Sequence, residues 1–453
     1  MNMNSPIVMS YASIAANRFG YGARGDELIE AQKDPKKWII EQLQPIQFSQ
    51  PYPSSADVFA QHVKYVNARN KRKMSMAGEN QPTENMKSMG RKYLRSMSVS
   101  SVTEAVSSPH SVSWRLLDFF SNHFSVTSNG QLLTGLSATL EREAIAPNLL
   151  GHFSDLLLAS VQHPAMIIYL NNEKSIGPNS KQSKKNNKGL NENLAREILE
   201  LHTLGVDGPY TQEDVLALAK GITGWSISNL RKAKQLGFTF RANTHEPGHR
   251  VFMGKRYPQS GIAQGETMLQ DLAAHPATAR HVCYKLACHF VNETPPSSLV
   301  DSMIATWHKT QGNIKAVMTT MLQADEAWLS TPQKFKSPRE LVISTLRALG
   351  TMKIRDNVIF NSLTALGQEP FNAGSPAGYG DTQQDWLGAN ALMARIDWAT
   401  KLASIRSDAN AEKIMHAALN LAQTSHTYLS VVRAESRQHA LALLLLSPEF
   451  QRR

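Results

Sequence analysis

Trp114-Arg115-Leu116-Leu117-Asp118-Phe119-Phe120-Ser121-Asn122-His123-Phe124 sets the fold class. Its apolar residues fall on most sides of a 3.6-residue wheel, so it reads as a helix inside a core rather than one lying on a surface. The helical pattern continues on both sides. Residues 140–170 are helical and are broken at Pro147 and Pro164, each placed to begin a new helix. Upstream, Asp34-Pro35 is an N-cap followed by Pro at the first helical position, and Trp38, Ile39 and Leu43 share one side. Phe19-Gly20-Tyr21-Gly22 reads as a loop. Downstream, Thr211-Gln212-Glu213-Asp214 resembles a capping box and opens a helix to about Gly221. The chain is helical again after Ala263 and from about Gln384 onward, with a Gly-, Pro- and Asn-rich loop over 367–380 between. Only Phe238-Thr239-Phe240 and Val251-Phe252-Met253 look like strands. The expectation is a mainly α protein: a single large multi-helix domain over 1–453 with a small β-hairpin near 238–254.

Composition supports this. A chain of 453 residues with 42% hydrophobic residues can bury a large core, and 26 Gly with 21 Pro is too few for a loop-rich β-sandwich. Forty-eight Lys and Arg against 37 Asp and Glu leave a net charge of +11. Much of the excess sits in two runs, near 64–95 and 174–188, which read as solvated, flexible segments. Only Tyr65 and Tyr93 interleave with the first run, so a nucleic-acid platform is not expected. The two cysteines, Cys283 and Cys288, point about 140° apart on a helix, a poor geometry for a disulfide. No secretory signal is visible at the N-terminus, and the most apolar run, 440–446, is too short to span a membrane. A soluble, cytoplasmic protein is expected, or an exported one if a leader lies upstream.

The most chemically suggestive stretch is Asn191-Glu192-Asn193-Leu194-Ala195-Arg196-Glu197-Ile198-Leu199-Glu200-Leu201-His202-Thr203. On a regular wheel Leu194, Ile198 and Leu201 form the packing side. Glu192, Asn193, Arg196, Glu197, Glu200 and Thr203 share an opposite arc of roughly 140°. His202 points about 160° away from Glu200. The plain reading of that arc is a solvated charge ladder, Glu192–Arg196–Glu200. The functional reading is a carboxylate cleft: Glu197 and Glu200 as an acid/base pair or as ligands of a divalent metal, with Arg196 orienting them. His245-Glu246-Pro247-Gly248-His249 is a second candidate. Pro247 and Gly248 oppose a helix there, so His245 alone is left as a helper or metal ligand. No P-loop, dinucleotide fingerprint or nucleophile elbow is present.

Asn191-Glu192-Asn193-Leu194-Ala195-Arg196-Glu197, Leu201-His202-Thr203-Leu204-Gly205-Val206, Tyr210-Thr211-Gln212 and Thr223-Gly224-Trp225 together resemble the bacterial domain-of-unknown-function family 1800. The likeness runs through most of the chain. It takes in Ala16-Asn17-Arg18-Phe19-Gly20-Tyr21-Gly22, Asn122-His123-Phe124, His163-Pro164-Ala165-Met166, Lys336-Ser337-Pro338-Arg339-Glu340-Leu341 and Ser447-Pro448-Glu449-Phe450-Gln451. The resemblance implies no settled activity. It implies that relatives are often exported behind a leader, which this chain does not show. Where the family usually has His-Asp, Gly, Lys and Gly, this chain has His245, Glu246, Gly248, Arg250 and Gly254. Arg250 in place of Lys removes a neutral amine base at that position.

Two functions are expected from these residues. In the first, a hydrolase-like enzyme acts on a polar or anionic substrate such as a glycan or phosphorylated compound. Glu197, Glu200, Arg196 and His245 are its catalytic residues, and Asn191, Asn193, Trp225 and Arg250 bind substrate. A divalent metal, if used, sits on Glu197, Glu200 and His245. In the second, a non-enzymatic binding or assembly protein uses the basic tracts.

Overall fold

The computed structural model describes residues 9–74, 86–183, 189–228, 236–331, 334–350 and 355–453, with side chains described from 86 onward and up to residue 70. Segments 75–85 and 184–188, parts of the two basic runs, lie outside the described residues. The fold is mainly helical. The Ser111–His123 helix is interior as expected, with Trp114, Leu116, Leu117, Phe119 and Phe120 all buried. Local chemistry explains where the helices begin. Asp34 caps its helix through the Lys37 amide, with Pro35 in the first turn. The Thr211–Asp214 capping box is complete, as is a second at Ser337–Glu340. His163 and His275, each followed by Pro, accept from the amides of Ala165 and Ala277 and so act as N-caps.

Two small antiparallel two-stranded sheets interrupt the helices. Phe238–Phe240 pairs with Trp225–Ile227, and Arg250–Phe252 pairs with Lys255–Tyr257. The two expected strand segments therefore belong to separate hairpins rather than facing each other. The second hairpin turns at Met253 and Gly254, which both have positive φ (49° and 73°), the backbone a two-residue hairpin loop needs.

The main core joins residues from Ile14 to Leu366. A second apolar cluster gathers Leu341, Leu402, Met415, Leu441, Leu444, Leu445 and Phe450. The run at 440–446 thus ends as a core helix, Arg437–Leu446. The Pro338–Ala348 helix ties the clusters together, giving Leu341 to the second and Val342 and Ile343 to the first. Among the described residues no helix is long and apolar enough to cross a membrane.

Among the described residues three helices widen into π turns: Ala15–Phe19, Glu141–Ile145 and Ile198–His202. The first carries helical structure to Phe19, so the loop expected at 19–22 starts one residue later. The third corrects the wheel drawn for 191–203. Only Asn193–Glu197 is α-helical, and the extra residue in the next turn brings Leu199 inward. Leu201 is then only partly buried. Thr203 leaves the polar arc, is fully buried, and donates to the Ile198 carbonyl at 2.7 Å.

Candidate functional site

The Ser111–His123 and Pro276–Phe290 helices, with the start of Pro338–Ala348, wall a cavity of about 300 Å³. The first helix contributes Asp118, Phe119, Asn122 and His123, and the second Lys285, Cys288 and His289. Arg339 and Glu340 come from the third, Glu141 from the second π turn, and Tyr21 from just past the first. Spacing places them. His281, Lys285 and His289 recur every four residues, so a regular helix presents them on one side.

The loop over 367–380 covers the cavity. Asn122 exchanges two bonds with the backbone of Tyr379: its Nδ2 donates to the carbonyl at 2.9 Å, and its Oδ1 accepts from the amide at 2.8 Å. Gly378, at φ 81°, makes this approach possible, because a Cβ there would meet Asn122 Oδ1 at 2.5 Å. Tyr379 in turn donates from its hydroxyl to the Glu369 carbonyl.

Charges in the wall are paired in a chain. Asp118 Oδ2 accepts from the Tyr21 hydroxyl and pairs with Arg339 Nε at 2.7 Å. Burial and the adjacent Asp118 push the Tyr21 phenol well up. Glu340 is buried against Arg453 at 2.8 Å and Arg115 at 3.0 Å, and these two cations hold it down at about 2. Asp381 pairs with Lys334 at 3.0 Å and accepts from His289 Nδ1 at 3.1 Å. His289 Nε2 is buried and meets no protein partner. Burial lowers the His289 imidazole below its ordinary range. Glu141 behaves oppositely: it accepts from Ser101 and Ser121 hydroxyls, and burial raises it.

Next to this chain lies a group of imidazoles. The third π turn ends with free carbonyls at Leu201 and His202, and His281 Nε2 and His123 Nε2 meet them at 3.2 and 3.1 Å. Burial pulls His202 down to about 3 and His281 to about 4, with Lys285 adding to both. His202 therefore belongs to a surface different from that of Glu200, as the wheel suggested.

The residues singled out in the sequence lie elsewhere. Arg196 bridges Glu192 at 3.2 Å and Glu200 at 3.3 Å, forming the expected ladder, and also donates to Gln212. Asn191, Glu192, Asn193 and Arg196 line a shallow cleft. The Asn191 side chain is already engaged: Nδ2 donates to the Leu170 and Asn171 carbonyls and Oδ1 accepts from the Asn193 amide. Glu197 is raised by burial and by Glu200. Trp225 is fully buried, edge-on to Phe238. Arg250 donates to the carbonyls of Glu246, Pro247 and His249, which makes it a brace of its own loop. His245 Nδ1 donates to the Thr223 carbonyl at 2.8 Å, and Glu246 accepts from the backbone and side chain of Asn179. That last contact ties Asn179, within the run at 174–188, to the Glu246 loop. No hydrogen bond or ion pair links His245 to Glu197 or Glu200. Among the described residues no three His, Cys, Asp or Glu gather as a metal site. Both cysteines are free.

The family model described as "Protein of unknown function (DUF1800)" matches residues 14–452. The chain belongs to this family. No curated protein and no solved structure matches it.

Some of the DUF1800 motifs quoted from the sequence reach one of the two places. Tyr21, Asn122, His123, Ser337, Arg339 and Glu340 line the cavity, while Asn191, Glu192, Asn193 and Arg196 line the shallow cleft. Sequence reasoning missed the cavity because His123 was read as a core residue. One signal was present: His281, Lys285 and His289 at four-residue spacing. Their partners, Asp381 and His123, lie far off in the chain.

Proposed function

We propose that the protein is a hydrolase-like enzyme that works by acid/base catalysis on a small polar or anionic substrate held in the central cavity. The observation that carries this reading is His289. Its Nδ1–H is committed to Asp381, so Nε2 holds the lone pair, and that nitrogen is buried without a protein partner. A base oriented by a carboxylate is the arrangement that activates water or a nucleophile. Burial keeps the ring neutral, and the same burial keeps Glu141 protonated more readily than a solvated carboxyl. Two groups in one cavity pushed toward opposite protonation states make a base and an acid. His289 takes a proton from the attacking water and Glu141 gives one to the leaving group. Arg339 has a buried Nη2 without a partner and receives the anionic part. The cavity volume is at the small end of ligand sites, so it admits one sugar-sized or phosphorylated unit. The π turns add support, since such turns are frequent at functional sites and Glu141 lies in one.

The test is a screen of glycosides and phosphate esters with the intact protein, His289→Gln and Glu141→Gln. Each substitution is expected to lower kcat by roughly a hundredfold or more. Turnover that survives in both variants, with folding unchanged by circular dichroism, removes the reading.

One observation favours a binding or assembly role instead. Lys87, Arg91, Lys92 and Arg95 line a groove together with Glu369, which also lines the cavity. Salt-sensitive binding of an anionic glycan, lost in Arg91→Glu, with no turnover of any substrate, would establish that role.

A further inference from the structure

Lys285 is held in a way that suits a nucleophile. Its Nζ lies 3.2 Å from His123 Nδ1, and among the described residues it forms no ion pair with a carboxylate. The imidazole in that contact is an acceptor. His123 Nε2–H is committed to the His202 carbonyl, so Nδ1 carries the lone pair. The neighbouring rings give no compensating negative charge, which comes from Asp381 and Cys288 alone. The His123 ring is 6.0 Å from that of His202 and 6.3 Å from that of His281. An ammonium here is thus solvated by one neutral nitrogen, and burial lowers the amine below the ordinary lysine range despite Asp381 and Cys288. Lys285 also lines the cavity, together with Arg339 and its unpartnered Nη2.

We propose that Lys285 is a reactive amine that condenses with small aldehydes or ketones carrying an anionic group, forming an imine inside the cavity. The amine lone pair attacks the carbonyl carbon, and the carbonyl π electrons move to oxygen. One N–H proton passes by way of His123 Nδ1 to that oxygen, giving a carbinolamine. The second N–H proton leaves with the hydroxyl as water while the C=N bond forms. One water is released, and no oxidant or reductant takes part. Lysines freed of their charge by burial or cationic neighbours are the ones that perform this chemistry. The carboxylate of the carbonyl compound is received by Arg339. This inference goes beyond the acid/base reading and does not rest on His289 or Glu141.

Reductive trapping tests it. The full-length protein is incubated at neutral pH with glyoxylate and cyanoborohydride, and modified lysines are located by peptide mass spectrometry over time. Lys285 is expected to be alkylated at least tenfold faster than the exposed Lys64 or Lys401, and faster by glyoxylate than by acetaldehyde. Lys285→Arg loses the adduct. His289→Gln and Glu141→Gln keep it, so failure of the hydrolytic reading and failure of this one are distinguishable. Trapping of Lys285 no faster than of exposed lysines overturns the proposal, and equal rates with acetaldehyde overturn its anionic part. Both readouts come from the unmutated protein, so they stand even if a variant does not fold.

Discussion

The side chain of Asn122 and the backbone of Tyr379 hold each other in a two-bond ring that fastens the 367–380 loop over the cavity. The ring closes only because residue 378 lacks a side chain. Gly378→Ala forces a Cβ within 2.6 Å of the Asn122 carbonyl and strains a positive φ. The expected cost is about 1–3 kcal/mol. Urea denaturation measures it, and protease cleavage near the loop should accelerate in parallel. A variant as stable and protected as the parent would show that the loop is not fastened here.

Asp118 is the only carboxylate paired with Arg339 among the described residues, and it also holds the Tyr21 hydroxyl. Asp118→Ala leaves the mostly enclosed Arg339 guanidinium without its ion-pair partner, a loss of roughly 3 kcal/mol. Tyr21→Phe removes one hydrogen bond and should cost about 1 kcal/mol. The order of the two losses in denaturant titrations is the check; a larger loss for Tyr21→Phe would contradict the pairing.

How much of this was legible beforehand follows from distance along the chain. The Ser111–His123 helix, the caps at Asp34 and Thr211, and the 367–380 loop depend on neighbours a few residues away, and all were readable. The Glu192–Arg196–Glu200 ladder was readable for the same reason. The cavity was not, because Asp118 meets Arg339 across 221 residues and His289 meets Asp381 across 92. A wheel at 100° per residue also cannot foresee a π turn, so it placed Thr203 outside and Leu199 with no side of its own. His245 was grouped with Glu197 and Glu200 by shared chemistry alone. The fold engages it with Thr223 and Phe240 instead.

Acid should unfold the protein through its imidazoles. His202 and His281 sit at about 3 and about 4 when folded, against about 6.5 when unfolded. The unfolded chain therefore binds protons first. Their contribution is intact above about pH 6.5 and is lost as pH falls toward 4. Facing groups His123 and Lys285 oppose charging of either ring. His202→Gln should make stability fall less steeply between pH 6.5 and 4, read from thermal melts. An unchanged slope would place the rings in water.

Lys336 should act with the same sign in a higher pH window. It is buried beside Phe450 and Ser344, and burial pushes it down to about 7. The unfolded chain keeps its proton up to about pH 10, so stability should rise with pH from about 7 to about 10. Lys336→Met is expected to flatten that rise and to raise the melting temperature at pH 7. A lower melting temperature with the rise intact would show that the charge is accommodated.

Each π turn is an α-helix carrying one residue more than its ladder requires. The Ile198–His202 turn is therefore a stored register shift. Rewinding the same residues as an ordinary α-helix would swing everything beyond by about 100°. His202 would lose its place beside His123, and the carbonyls that fix both neighbouring imidazoles would turn away. The whole imidazole arrangement thus depends on where a single surplus residue is accommodated.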